Sequence, residues 1–188
     1  MYEFTQDVIA NLTWLLLILL LSTAIFTDLQ KRRIPNLLIL LGLVSSLVFQ
    51  MFLPQGLGFM NWGIGVLIGF ICFSPLYFLR AMAAGDVKLM MVVGGFVGFP
   101  IIITAALYSY AAGGILALVI VLGKGQFKQL IHNLRVMITP IYIKITSGVD
   151  VGDGLIRKAN LEQTSIGRMP YALAIAAGTF LALYLEAT

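Results

Sequence analysis

Ala83-Ala84-Gly85-Asp86-Val87-Lys88-Leu89 is a short polar break between two long apolar runs, and its reading decides what kind of chain this is. The runs on either side, about 62–79 and 87–122, are too long and too apolar for the core of a soluble domain. An ionisable group at the edge of hydrocarbon is costly, so Asp86 calls for an explanation. It stands where a helix begins, near free N–H groups and the positive end of the helix dipole. Gly85 beside it has no side chain and allows a turn or a close approach. Taken alone, Asp86 reads equally as a helix N-cap.

Outward from this stretch the same composition continues. The chain has 188 residues, 60% of them hydrophobic and 11% charged, with a net charge of +4. Its mean hydropathy is +1.00. The fold class expected is all-α: a polytopic integral membrane protein of six helices, forming one membrane domain over 1–188. Spans are expected at about 12–27, 37–53, 62–79, 87–99, 101–122 and 169–186. The fourth and fifth run together, and Gly98-Phe99-Pro100 is where the block should turn, because Pro100 cannot continue a helical ladder. The fourth span is then short for a bilayer and must sit partly inside the bundle. Residues 1–11 are polar and acidic and lack the basic start of a signal peptide, so the first span is expected to stay in the protein.

Six spans put both termini on one side. All 12 basic residues then fall on the other, at Lys31, Arg32, Arg33, Arg80, Lys88, Lys124, Lys128, Arg135, Lys144, Arg157, Lys158 and Arg168. Such a partition marks that side as cytoplasmic. It also accounts for a pI near 9.3 without a nucleic-acid partner. The long loop 123–168 begins with Phe127, Leu130, Ile131, Leu134, Met137, Ile138 and Ile141 at helical spacing, with Lys128, His132 and Arg135 between them. This reads as a basic amphipathic helix on the membrane surface, or as a connecting helix under the bundle. His132 reads as an interfacial polar residue. The Gly- and Asp-rich stretch 147–168 reads as a flexible loop. Asp150-Val151-Gly152-Asp153-Gly154 has the wrong ligand spacing for a calcium loop. One cysteine, Cys72, and one histidine leave no zinc site and no disulfide within the chain, so neither a metal nor a cofactor is expected.

Parity brings a second acid to the same edge. Asp28 ends the first span and Asp86 opens the fourth, so both lie at the cytoplasmic face at similar depth. Two carboxylates brought together share one proton. That is the state in which one activates water while the other holds a scissile carbonyl. The competing reading is two separate caps or ion pairs, Asp28 with Arg32 and Asp86 with Lys88.

Asp28 with Arg33-Ile34-Pro35-Asn36, Ala83-Ala84-Gly85-Asp86-Val87-Lys88-Leu89, and Pro170-Tyr171-Ala172 together resemble the type IV prepilin peptidase family, membrane aspartic proteases of the Gly-x-Gly-Asp type. The resemblance covers nearly the whole chain. It implies Asp28 and Asp86 as the catalytic pair. Gly85 beside Asp86 reads as a supporting residue, Arg33 and Lys88 as cations near enough to tune the pair or equally as positive-inside anchors, and Pro35 and Asn36 as a helix start. The implied substrate is a prepilin or pseudopilin with a basic leader and a hydrophobic helix, cut at the cytoplasmic face of the inner membrane. Ala83 departs from the family pattern, which has Gly there. Only nine residues separate the first two spans, and the two CxxC pairs of the methylating members are missing. The chain is therefore similar to the short, peptidase-only branch that serves Flp/Tad pili, with archaeal preflagellin peptidases as neighbours. The alternative from another class is a non-enzymatic membrane protein: a small transporter, an assembly factor or an inactive homologue. A transporter would place polar groups at midplane on broken helices, and these spans hold almost none.

Overall fold

The computed structural model describes residues 2–52, 58–79, 82–123, 125 and 170–186, with side chains from residue 11 onward. Every regular element among them is a helix: α1 (Tyr2–Lys31), α2 (Asn36–Phe52), α3 (Phe59–Phe78), α4 (Ala84–Val97), α5 (Ile101–Gly123) and α6 (Tyr171–Glu186). Inside hydrocarbon a backbone must satisfy its own hydrogen bonds, and helices do this segment by segment. The expected amphipathic helix over 127–141 with His132, the loop 147–168 with Asp150 and Asp153, and Arg80 lie outside the described residues.

The chain divides into two compact units, Met1–Gly114 with Pro170–Thr188, and Ile115–Met169. Of the second, the end of α5 and Gly125 are described. All the contacts below belong to the first.

Six spanning helices are expected from the sequence; three are long and apolar enough for that, Asn11–Lys31, Phe59–Phe78 and Ile101–Gly123. α2 and α6 are apolar but have 17 and 16 residues. α4 has 14 residues, a rise of about 21 Å against about 30 Å of hydrocarbon. Its shortness follows from both ends. Asp86 caps the start, and Gly98 at φ 67° stops the helix at Val97, its N–H returning to the Gly94 carbonyl at 2.8 Å. The Phe99–Pro100 peptide is cis, and α5 starts at Ile101, so the turn falls at Gly98-Phe99-Pro100. Asn61 at the start of α3 accepts the Phe99 N–H at 3.1 Å and ties the turn down. At the other extreme, α1 starts at Tyr2, about ten residues before its apolar run, because polar residues also continue a helix where it leaves lipid.

α4 is the central helix. Leu89, Met90, Val92 and Val93 are fully buried, and α1, α2, α3 and α6 all touch it. Where these helices cover it, protein replaces lipid. Lipid gives apolar side chains no reason to leave it, so association depends on close packing of small residues. At the α3–α4 crossing the backbones themselves meet. A Cβ on Gly65 would lie 2.1 Å from the Gly94 carbonyl oxygen, and one on Gly69 would lie 2.5 Å from that of Met90. Near the far end of α4, the Trp62 indole N–H donates to Ser46 Oγ at 2.9 Å, beside Gly95.

Candidate active site

Asp28 lies in the last turn of α1. The hydroxyls of Thr23 and Thr27 just before it are satisfied within the helix, on the carbonyls of Leu20 at 2.8 Å and Thr23 at 2.9 Å. The helix ends at Lys31, and the next residue, Arg32, returns its N–H to the Asp28 carbonyl at 2.8 Å and turns the chain away with a φ of 50°. Left-handed backbone costs a residue with a Cβ roughly 1–2 kcal/mol. Here it leads directly into Ile34-Pro35-Asn36. The Pro35 carbonyl takes the N–H groups of Leu38 and Ile39 at 3.1 and 3.3 Å and opens α2. Asn36 does not bond local backbone, as a polar residue at a helix start commonly does. Its Oδ1 accepts Lys88 Nζ at 3.1 Å and links α2 to α4.

Asp86 lies in the first turn of α4. Its Oδ2 accepts the Ala83 N–H at 3.1 Å, which is half of a capping box. The reciprocal half is impossible, because the Ala83 methyl cannot accept. Ala83 and not Asp86 is the N-cap; Asp86 closes the first turn from its third residue, and its other carboxylate oxygen is free of hydrogen bonds among the described residues.

Both acids are more than nine-tenths buried, with 7% and 6% of their surface exposed. They belong to one cluster at the start of α6. The Ala172 N–H donates to Asp28 Oδ2 at 3.2 Å. The charge of Asp28 acts on Asp86, and that of Asp86 acts on the Tyr171 phenol. Asp86 lies outside the three helices of spanning length. Burial pushes its carboxyl up to about 7; the Ala83 N–H pulls the other way, and Asp28 adds to the rise.

The supporting residues separate into those that meet this cluster and those that do not. Arg32, not Arg33, is the cation whose charge reaches Asp28. Arg33 is exposed and makes no hydrogen bond among the described residues. Lys88 bonds Asn36 and faces away from Asp86, so the ion pair of Asp86 with Lys88 does not form. Instead Lys88 and Asn36 border an apolar groove of about 540 Å³ walled by Leu40, Leu43, Phe70 and Met91, on the far side of α4. Gly85 is helical and makes no turn, and a Cβ there would meet Ile34 at an ordinary 3.5 Å. Ala83 is extended, at φ −84° and ψ 155°, a conformation that does not call for glycine. The Ala172 N–H is the partner of Asp28 that the sequence does not point to, although Pro170-Tyr171-Ala172 is one of its motifs. Every residue but proline carries an N–H, so nothing in the letters marks this one.

Among the described residues no three His, Cys, Asp or Glu side chains come together as metal ligands would. The model of the type IV leader peptidase family matches residues 15–118, a stretch that contains both aspartates. No curated protein and no solved structure matches the chain.

Proposed function

Since this chain belongs to the type IV leader peptidase family, we propose that it is an aspartic endopeptidase, with Asp28 and Asp86 as its catalytic pair. The observation that carries the reading is two buried carboxylates from helices far apart in the chain, near enough for the charge of one to act on the other, with Asp28 held on the Ala172 N–H. Asp86 suits the protonated partner, because burial raises its carboxyl to about 7 and no cation acts on it among the described residues. Asp28 takes the other role, because its Oδ2 accepts the Ala172 N–H, a bond made by a carboxylate acting as acceptor.

The chemistry then runs through the two acids alone. Asp28 takes a proton from water as the water oxygen attacks the scissile carbonyl. Asp86 hydrogen-bonds the carbonyl oxygen and gives it the proton as the tetrahedral intermediate forms. Collapse of the intermediate breaks the C–N bond. The departing amine takes the proton held by Asp28, and the new carboxyl group returns one to Asp86.

The substrate we propose is a prepilin-like chain with a short basic leader and a hydrophobic helix. That helix lies in the bilayer beside the bundle, and the leader reaches the acids from the cytoplasmic side of the inner membrane. The lack of a CxxC-bearing insert between α1 and α2 favours peptidase action without methyl transfer, as in the Flp/Tad branch. The test is leader cleavage of a co-expressed prepilin by wild type, Asp28→Asn, Asp86→Asn and the double variant. Each single variant should lose nearly all cleavage, and the double should be scarcely worse, because residues acting as one unit are non-additive. Substantial activity in either single variant, at normal membrane levels, overturns the pair.

A further inference from the structure

We propose that Tyr171 is a positioning residue of this site and that Gly113 on α5 is its seat, the two holding the first turn of α6 where the Ala172 N–H meets Asp28. The inference rests on the reading of Asp28 as a catalytic carboxylate. The first N–H groups of a helix have no acceptor within it. That of Ala172 is therefore available to Asp28, but only if the first turn of α6 is held in place. Pro170 and Ala172 on either side of Tyr171 are small and offer little grip. The Tyr171 ring supplies it.

The ring is enclosed on two sides. It meets Phe73 of α3 edge to face, with centroids 6.3 Å apart and planes at 78°. Phe73, itself fully buried, stacks on Tyr110 of α5 at 4.9 Å. The Tyr110 hydroxyl donates to the Cys72 carbonyl. Three rings thus tie the start of α6 to α3 and α5. On the other side lies Gly113, where an added Cβ would fall 2.3 Å from the Tyr171 oxygen, 2.5 Å from Cζ and 2.8 Å from Cε2. Nothing larger than hydrogen fits while the ring is there. One turn along α5, Ser109 keeps the two helices at the same close distance. Its hydroxyl reaches the Ile175 carbonyl at 3.4 Å, and a Cβ on Gly178 would lie 2.2 Å from the Ser109 nitrogen.

The phenol oxygen makes no hydrogen bond among the described residues, so the ring and not the hydroxyl does the holding. This separates positioning from a direct chemical role. Moving a reacting group by about 1 Å can cost a hundredfold in rate. Leader cleavage is measured with purified enzyme and a prepilin in mixed micelles, with kcat and KM determined separately. Tyr171→Phe should keep the wild-type kcat. Tyr171→Ala should lose about a hundredfold in kcat at unchanged KM, and Gly113→Ala about tenfold. The double variant Gly113→Ala/Tyr171→Ala should be no slower than Tyr171→Ala, because the methyl fits once the ring is gone.

Wild-type kcat in Tyr171→Ala overturns the proposal, as do two losses that simply multiply. A Tyr171→Phe as slow as Tyr171→Ala also overturns it, since the hydroxyl itself would then be at work. If Tyr171→Ala fails to accumulate, Gly113→Ala and Tyr171→Phe still decide the matter. Wild-type activity with inactive Asp28→Asn, together with unaffected Gly113→Ala and Tyr171→Ala, would end this proposal and leave the aspartic reading standing. An active Asp28→Asn would end both.

Discussion

In the proposed mechanism Asp86 serves two ends with one carboxylate: one oxygen caps α4 on the Ala83 N–H, and the other, free of hydrogen bonds among the described residues, would face the substrate. Its raised carboxyl makes stability depend on pH in a definite direction. Between about 4 and about 7 the folded chain holds a proton on Asp86 that the unfolded chain has released. Stability contributed by this group is present below the unfolded value and is lost as pH rises through the folded one. Thermal unfolding in detergent should therefore show a midpoint that falls across this window. Asp86→Asn should flatten that fall, since Asn does not titrate. A wild-type midpoint that rises with pH over the window, or a slope unchanged in Asp86→Asn, would count against a buried, protonated Asp86. The neighbouring Ala83 carries a simpler expectation. Its extended backbone suits Gly as well as Ala, and Gly is the better N-cap of the two. Ala83→Gly should cleave a prepilin at the wild-type rate, and loss of cleavage at normal membrane levels would give that methyl a role of its own.

Among the elements, the α3–α4 crossing depends most on individual atoms. Gly65 and Gly94 face each other so closely that a Cβ on either would lie 2.1 Å from the other's carbonyl oxygen. Backbone cannot swing aside as a long side chain can, so the helices must part. Gly65→Ala and Gly94→Ala should each destabilise by about 1–3 kcal/mol, the usual cost of overpacking. Gly63→Ala and Gly114→Ala, where nothing lies within 4 Å, should leave stability unchanged or slightly raised. Unfolding midpoints of the four variants in one detergent make the comparison. Equal effects at all four positions would contradict so close a crossing. The same crossing explains how a 14-residue helix has a place in a membrane protein: α4 is packed against α1, α2, α3 and α6.

On the scale of the whole molecule, the topology we propose has six crossings with both termini outside, the fourth spanning about 87–99 so that Asp86 lies at the membrane edge. Reporter fusions at residues 57 and 188 should report the outside, and fusions at 33, 84 and 150 the cytoplasm. An outside signal at 150 would break the parity that sets Asp28 and Asp86 at one face. The sequence by itself determined the class of the molecule, because apolar runs of this length have helices as their only stable form in lipid. It determined the turn at Gly98-Phe99-Pro100 through glycine and proline chemistry. It also singled out the two aspartates, because acids at the edge of apolar runs are rare. Which helix faces which was decided only by the tertiary structure. In a soluble protein the apolar stripe of a helix points to the core, but lipid-facing and core-facing positions here are equally apolar, so periodicity is silent. Hence Lys88, two residues from Asp86, turns out to face α2, and Gly85 proves to be plain helix. The donor to Asp28 likewise came from a backbone N–H at residue 172, which the packing of α6 against α1 brings within reach.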